Sequence, residues 1–219
     1  MAIINEKTRE KFDVFIRKCP YPIQKVFFWV SHKRQYIRWI KEGKPFPPAR
    51  KVKELMINNY RKLTGNDILV ETGTFRGDMV FSQLHKFRKI YSIELDSWLC
   101  SEAKKRFKGF SHVKVIQGDS GKVLREIIKE LEGPAVFWLD GHYSGGITAL
   151  GEKVTPIFEE LKIIFSSKLN HALLIDDARL FTGDDGYPTL DELKTFIHQY
   201  HGSEDIKISD DCIQILLNN

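Results

Sequence analysis

The sequence predicts an α/β domain, a mostly parallel sheet with helices on both faces, behind a basic helical extension. Three observations predict it. From about residue 64 onward, short apolar runs alternate with stretches long enough for crossover helices. Two short alternating runs close the chain. Charge divides sharply: residues 1–62 hold 16 Lys/Arg against 5 Asp/Glu, and residues 63–219 hold 18 against 24. The net charge of +5 is therefore the sum of +11 and −6, so the whole-chain balance misdescribes both parts. The expected division is a helical extension over 1–63 and a principal domain over 64–219.

In the extension, Val26, Trp29, Val30, Ile37 and Ile40 recur at helical spacing with Lys25, Lys33, Arg34, Arg38 and Lys41 between them. That stripe is expected to pack over the domain or a partner subunit, although a basic aromatic helix also suits an anionic membrane surface or nucleic acid. Pro45, Pro47 and Pro48 interrupt it, and a second helix is expected from about Ala49 to Leu63.

The five apolar runs are Ile68–Val70, Ile90–Ile93, Val113–Ile116, Ala135–Leu139 and Ala172–Ile175. The first, fourth and fifth are continuously apolar, as in strands buried on both faces, whereas His112-Val113-Lys114-Val115 alternates and reads as an outermost strand. Asp119-Ser120 can cap a helix running to near Gly133, Thr155-Pro156 reads as N-cap and first turn, and Thr189 to Glu192 has capping-box spacing. Ile206–Ile208 and Ile213–Ile215 read as a terminal antiparallel hairpin.

Composition excludes several classes. With 42% hydrophobic and 29% charged residues the chain has a core to bury. No run of about 18 uncharged apolar residues occurs, and the N-terminus lacks a secretory pattern. Cys19, Cys100 and Cys212 are odd in number and far apart, which disfavours a disulfide framework or a zinc site and fits a reducing cytoplasm.

In an open parallel sheet the ligand crevice lies beyond the carboxyl ends of the strands. Those ends carry Glu71, Glu94, Asp119 just beyond the third strand, Asp140 and the pair Asp176-Asp177. Solvated charge has no reason to recur at one sheet edge, so the recurrence points to a binding site. After the first strand, Gly73 and Gly77 flank Thr74 in a tight strand-to-helix turn suited to a nucleotide-like ligand. The GxGxxG of dinucleotide enzymes is missing, and Glu71 beside the turn suits a cationic ligand such as an ammonium or sulfonium better than a pyrophosphate. Glu94 follows Glu71 by 23 residues, near the offset at which an acid meets a ribose hydroxyl. Gln117-Gly118-Asp119-Ser120 places acceptors and a helix start where an adenine can be read.

This order of residues, with its closing hairpin, resembles class I S-adenosylmethionine (SAM)-dependent methyltransferases over residues 64–219. The resemblance implies a doubly wound, Rossmann-like sheet of seven strands, mostly parallel with the last antiparallel. It implies SAM contacts from Glu71, Gly73, Thr74, Gly77, Glu94, Asp119, Ser120 and Asp140. Three carboxylates at Asp140, Asp176 and Asp177 are hard oxygen ligands suited to Mg²⁺ or Ca²⁺. In this the chain is similar to metal-dependent O-methyltransferases of the catechol and macrocin type, which implies a small hydroxylated or sugar-containing acceptor. That family's Asp-Asn pair and lysine base stand here as Asp176-Asp177 and His142, so His142 and Asp140 are the catalytic candidates. Gly145 and Gly146 are expected beside the acceptor pocket. A nucleic-acid substrate is disfavoured, because Asp140-Gly-His-Tyr stands where the Asn-Pro-Pro-Tyr type of tetrapeptide would be. The alternatives kept open are a nucleic-acid-binding or -modifying methyltransferase, a non-catalytic membrane-surface protein and a nicotinamide oxidoreductase. An oligomer is compatible with the sequence.

Overall fold

The structure, a computed structural model, describes residues 12–140, 156–202 and 205–218. The chain forms two compact units, Met1–Lys53 and Glu54–Asn219.

In the first unit, helix α1 spans Tyr21–Lys41, entered through Pro20 and Pro22, where a missing N–H costs nothing. Its buried residues are Gln24, Phe28 and Trp39. Of the predicted stripe, Val26, Trp29, Ile37 and Ile40 are 64%, 61%, 43% and 44% exposed within the single chain. Aromatic packing chose the other face. Phe28 meets Phe27 edge-to-face at 5.4 Å, and the Trp39 indole N–H donates to the Pro45 carbonyl at 2.8 Å, satisfying a polar atom that burial would otherwise penalise.

Helix α2, Arg50–Thr64, leads into the sheet domain. There the strands are β1 Ile68–Thr72, β2 Lys89–Glu94, β3 Val113–Gln117, β4 Ala135–Leu139, β5 Ala172–Ile175, β6 Lys207–Ser209 and β7 Cys212–Leu216. Between them lie α3 Asp78–Gln83, α4 Ser97–Phe107, α5 Ser120–Glu130, α6 Ile157–Phe165 and α7 Leu190–His201, with a 3₁₀ turn at Ala178–Leu180. The order across the sheet is β3-β2-β1-β4-β5-β7-β6. β1 to β5 are parallel, and the closing hairpin enters antiparallel, β7 on β5 and β6 on β7. β3 is an edge strand, as its alternation predicted.

Alternation along each strand splits the sheet into two buried faces. Ile68, Val70, Ile93, Phe137, Leu139, Leu173, Ile175, Ile213 and Ile215 form one core with Leu124 and Ile127 of α5, Leu161 and Ile164 of α6 and Ile197 of α7. The opposite face, Leu69, Ile90, Trp138 and Leu174, is buried as well. Each such side chain contributes about 1.5–3 kcal/mol on leaving water, which favours this register over a one-residue slip. Capping is mixed. Thr189 and Glu192 form both bonds of the capping box on α7, while Asp119 occupies the N-cap of α5 without a side-chain capping bond. Pro156 is the N-cap of α6, and Thr155 lies outside the described residues.

Candidate functional site

Strand order reverses between β1 and β4, the place at which open parallel sheets bind ligands beyond the carboxyl ends of their strands. Register sets the height of each acid. Thr72 pairs with Ile93 and with Leu139, and Leu139 with Ile175, so Gly73, Glu94, Asp140 and Asp176 stand level, one residue above that row. By parity they share the sheet face opposite the Phe137 core. Glu71 pairs with Ser92 and Trp138, two residues lower. It is buried inside β1, where its carboxylate takes a very short hydrogen bond from the Ser92 hydroxyl. Ser92 in turn meets the Thr74 hydroxyl at 2.6 Å, so a buried polar chain runs from Glu71 to the turn above it.

That turn is built from positive φ. Gly73 and Gly77 have φ of 85° and 73°, and Phe75 adopts 50°. At Gly77 a Cβ would fall 2.6 Å from the Phe107 ring, so the turn and α4 approach as only glycine permits. The Gly73 and Thr74 amides donate to the Ile93 carbonyl at 2.9 and 3.1 Å, the Gly77 amide to Thr74 O at 2.8 Å and the Phe75 amide to Glu94 Oε2 at 2.6 Å. The amides of Gly73, Thr74, Phe75 and Gly77 are thus used within the fold.

Glu94 caps this arrangement. Its second oxygen, Oε1, accepts from the Asp96 amide at 2.9 Å. Burial pushes its carboxyl above the ordinary range, and the amides of Asp96 and Phe75 pull it back. The Gly118 amide donates to the Glu94 carbonyl at 2.9 Å, which draws the loop before α5 to the end of β2. Asp119 there is half-buried and Ser120 is buried.

The third group lies across the switch point. Asp140, Asp176 and Asp177 each offer a carboxylate oxygen, all within 4.8 Å of one another. The Asp140 amide donates to Thr72 O and Oγ1, both at 3.2 Å, and the Asp176 amide to Leu139 O at 3.0 Å, so the strand ladder fixes their level. Asp177 turns out of the strand at φ 55°, with its own amide on Asp176 Oδ1 at 2.8 Å. His142, Gly145 and Gly146 lie outside the described residues.

Solved structures of similar fold share this plan. A methyltransferase from Podospora anserina, solved with S-adenosylhomocysteine (SAH), matches with a TM-score of 0.55 at 18% identity, over 100% of this chain and 99% of its own. The O-methyltransferase TomG from Streptomyces achromogenes, solved with SAM, matches at 0.53 and 14%, over 85% and 88% of the two chains. An O-methyltransferase from Bacillus cereus, solved with SAH, matches at 0.55 and 11%, over 86% and 91%. No family model matches the sequence, and no curated protein matches it.

The chain has the class I methyltransferase fold.

Arg106, Asp211 and Tyr187, which sequence reasoning missed, shape the rim of this class I methyltransferase fold together with Arg179. Arg106 of α4 is buried against Asp78, pairs with it at 2.7 Å and donates to the Arg76 carbonyl at 2.6 Å, clamping the glycine turn from the far side. Arg179 donates to Asp177 Oδ1 at 2.7 Å and also contacts the Asp211 carboxylate, whose other oxygen accepts the Arg179 amide at 2.9 Å. Asp211 comes from the β6–β7 turn, 32 residues away in sequence, which no local pattern signals. Tyr187 is buried edge-to-face on Phe181 at 5.6 Å. Burial first, then the charges of Asp177, Asp140 and Asp176, push its phenol upward.

Proposed function

We propose that residues 64–219 form a SAM-dependent methyltransferase acting on an oxygen of a small hydroxylated or sugar-containing acceptor, with divalent-metal assistance, and that residues 1–63 are an accessory segment. The observation that carries this reading is the level row of Glu94, Asp140 and Asp176 at the switch point, tied by Glu94 to a glycine turn. The fold's likeness to methyltransferases solved with SAM or SAH supports it.

SAM, when bound, supplies an electrophilic methyl group on a sulfonium. Glu94 would hold its ribose hydroxyls: each carboxylate oxygen accepts one backbone amide and keeps lone-pair capacity for a hydroxyl donor. Asp119 is at hand for the adenine because its carboxylate does not cap α5. Ser120 stands at the same helix start. Glu71, buried beneath the turn, adds negative potential that favours a cationic ligand over an anionic one. Gly73, Thr74 and Gly77 would contribute shape, since their amides are engaged within the fold.

The donor set at Asp140, Asp176 and Asp177 fits Mg²⁺ or Ca²⁺: each offers a carboxylate oxygen, a hard ligand, and the three lie within 4.8 Å of one another. A cation held there supplies Lewis-acid chemistry, making an acceptor hydroxyl easier to deprotonate. His142, which follows Asp140 by two residues, would take the proton.

Calorimetric titration with SAM, alone and with Mg²⁺, followed by methyl-transfer assays over vicinal-diol acceptors, tests this. Saturable SAM heat and Mg²⁺-dependent transfer are expected. Saturable heat without Mg²⁺ dependence would leave a methyltransferase and remove the metal.

A further inference from the structure

Helix α1 carries two different faces. Toward the interior of its unit it turns Gln24, Phe28 and Trp39, and the Gln24 amide donates to the Arg17 and Cys19 carbonyls at 3.0 and 2.8 Å. On the opposite side Ile23, Val26, Val30, Ile37 and Ile40 recur at spacings of three, four, seven and three residues, with Trp29 beside them. Ile23, Val26, Trp29, Ile37 and Ile40 are all exposed. The helix holds five Lys/Arg and no Asp/Glu, and Lys33 Nζ lies 5.1 Å over the Trp29 ring.

Such a face needs a cover that accepts aliphatic side chains and attracts positive charge. A second copy would set like charge against like charge. A nucleic acid would attract the lysines and arginines but leave Ile23, Val26, Ile37 and Ile40 in water. An anionic lipid surface satisfies both requirements: aliphatic groups and Trp29 enter the acyl boundary, while the long Lys and Arg stems carry their charges back to the headgroups. No described helix is long and apolar enough to cross a membrane, so α1 would lie in the plane of the surface, about 30 Å long.

We infer that α1 is a peripheral docking helix for anionic lipid surfaces, carried by the juxtaposition of an exposed Ile23–Val26–Trp29–Ile37–Ile40 face with five basic residues and no acid. The inference stands apart from methyl transfer, since it uses no residue of the sheet rim.

The test is sedimentation of the full chain with phosphatidylcholine vesicles and with vesicles that also contain phosphatidylglycerol. Binding to the anionic vesicles is expected to exceed binding to the neutral ones by more than about tenfold and to weaken with salt. Val26→Glu/Ile37→Glu and, separately, Lys33→Glu/Arg34→Glu/Arg38→Glu should each reduce it by about tenfold or more, with SAM binding unchanged. Brominated acyl chains should quench wild-type tryptophan emission more than that of Trp29→Phe. Equal binding to both vesicle types, absence of binding, insensitivity to both sets of substitutions, binding to duplex oligonucleotide in place of vesicles, or dimerisation abolished by Val26→Glu/Ile37→Glu would each overturn the inference.

Discussion

Glu94 Oε2 accepts the Phe75 amide at 2.6 Å, and this bond fastens the end of β2 to the glycine turn above β1. It places a buried carboxylate between two loops at the one edge of the sheet where strand order reverses. A ligand that bonds Glu94 therefore also meets the turn.

Replacing Glu94 by Ala should raise the dissociation constant for SAM by about 100-fold, since two charge-assisted hydrogen bonds of roughly 1.5 kcal/mol each would be lost. Glu94→Gln, which keeps one acceptor oxygen, should fall between. Isothermal titration of the three proteins checks the order.

Gly77→Ala should destabilise the protein by about 1–3 kcal/mol. The residue sits at φ 73°, and the added methyl would meet the Phe107 ring at 2.6 Å. Denaturant unfolding measures the loss; equal stability would show that α4 yields at no cost.

Arg179→Met should lower stability in the absence of metal by about 1 kcal/mol, because Asp177 and Asp211 lose their shared cation. The same change should tighten Mg²⁺ binding by removing a positive charge that contacts Asp177 Oδ1. Thermal unfolding with and without Mg²⁺ reads both effects, and weaker Mg²⁺ binding would argue against Asp177 as a ligand.

His171 provides a pH test remote from the rim. It is fully buried, with Nδ1 accepting the Ala135 amide at 3.0 Å and Nε2 2.7 Å from Ser167 Oγ. Burial lowers its pKa from 6.5 to about 4. Between those values the unfolded chain binds the proton and the folded chain does not, so this contribution is whole above pH 6.5 and is lost as pH falls toward 4. The loss should approach about 3 kcal/mol, and in His171→Gln this part of the pH dependence should vanish.

Legibility in the sequence followed the range of the interactions. Strands β1, β4 and β5 were readable because burial on both faces leaves continuous apolar runs, and β3 because an edge strand alternates. The capping box at Thr189 and Glu192 was readable because both partners lie within one turn. The exposed face of α1 was not: spacing shows that a stripe exists, while the contacts of Phe28 with Phe27 and of Trp39 with Pro45 accompany burial of the other side. Glu71 looked like a rim residue because one further residue of β1 is invisible in composition, yet register sets it two levels down, on Ser92. The Arg106–Asp78 and Arg179–Asp211 pairs join residues 28 and 32 apart, so only folding reveals them.

The most direct test of the central claim is a crystal of the full chain soaked with SAH. The account predicts density in the crevice between β1 and β4, with ribose hydroxyls on Glu94 and adenine beside Asp119. SAH bound elsewhere, or a crevice empty at saturating ligand, would contradict it.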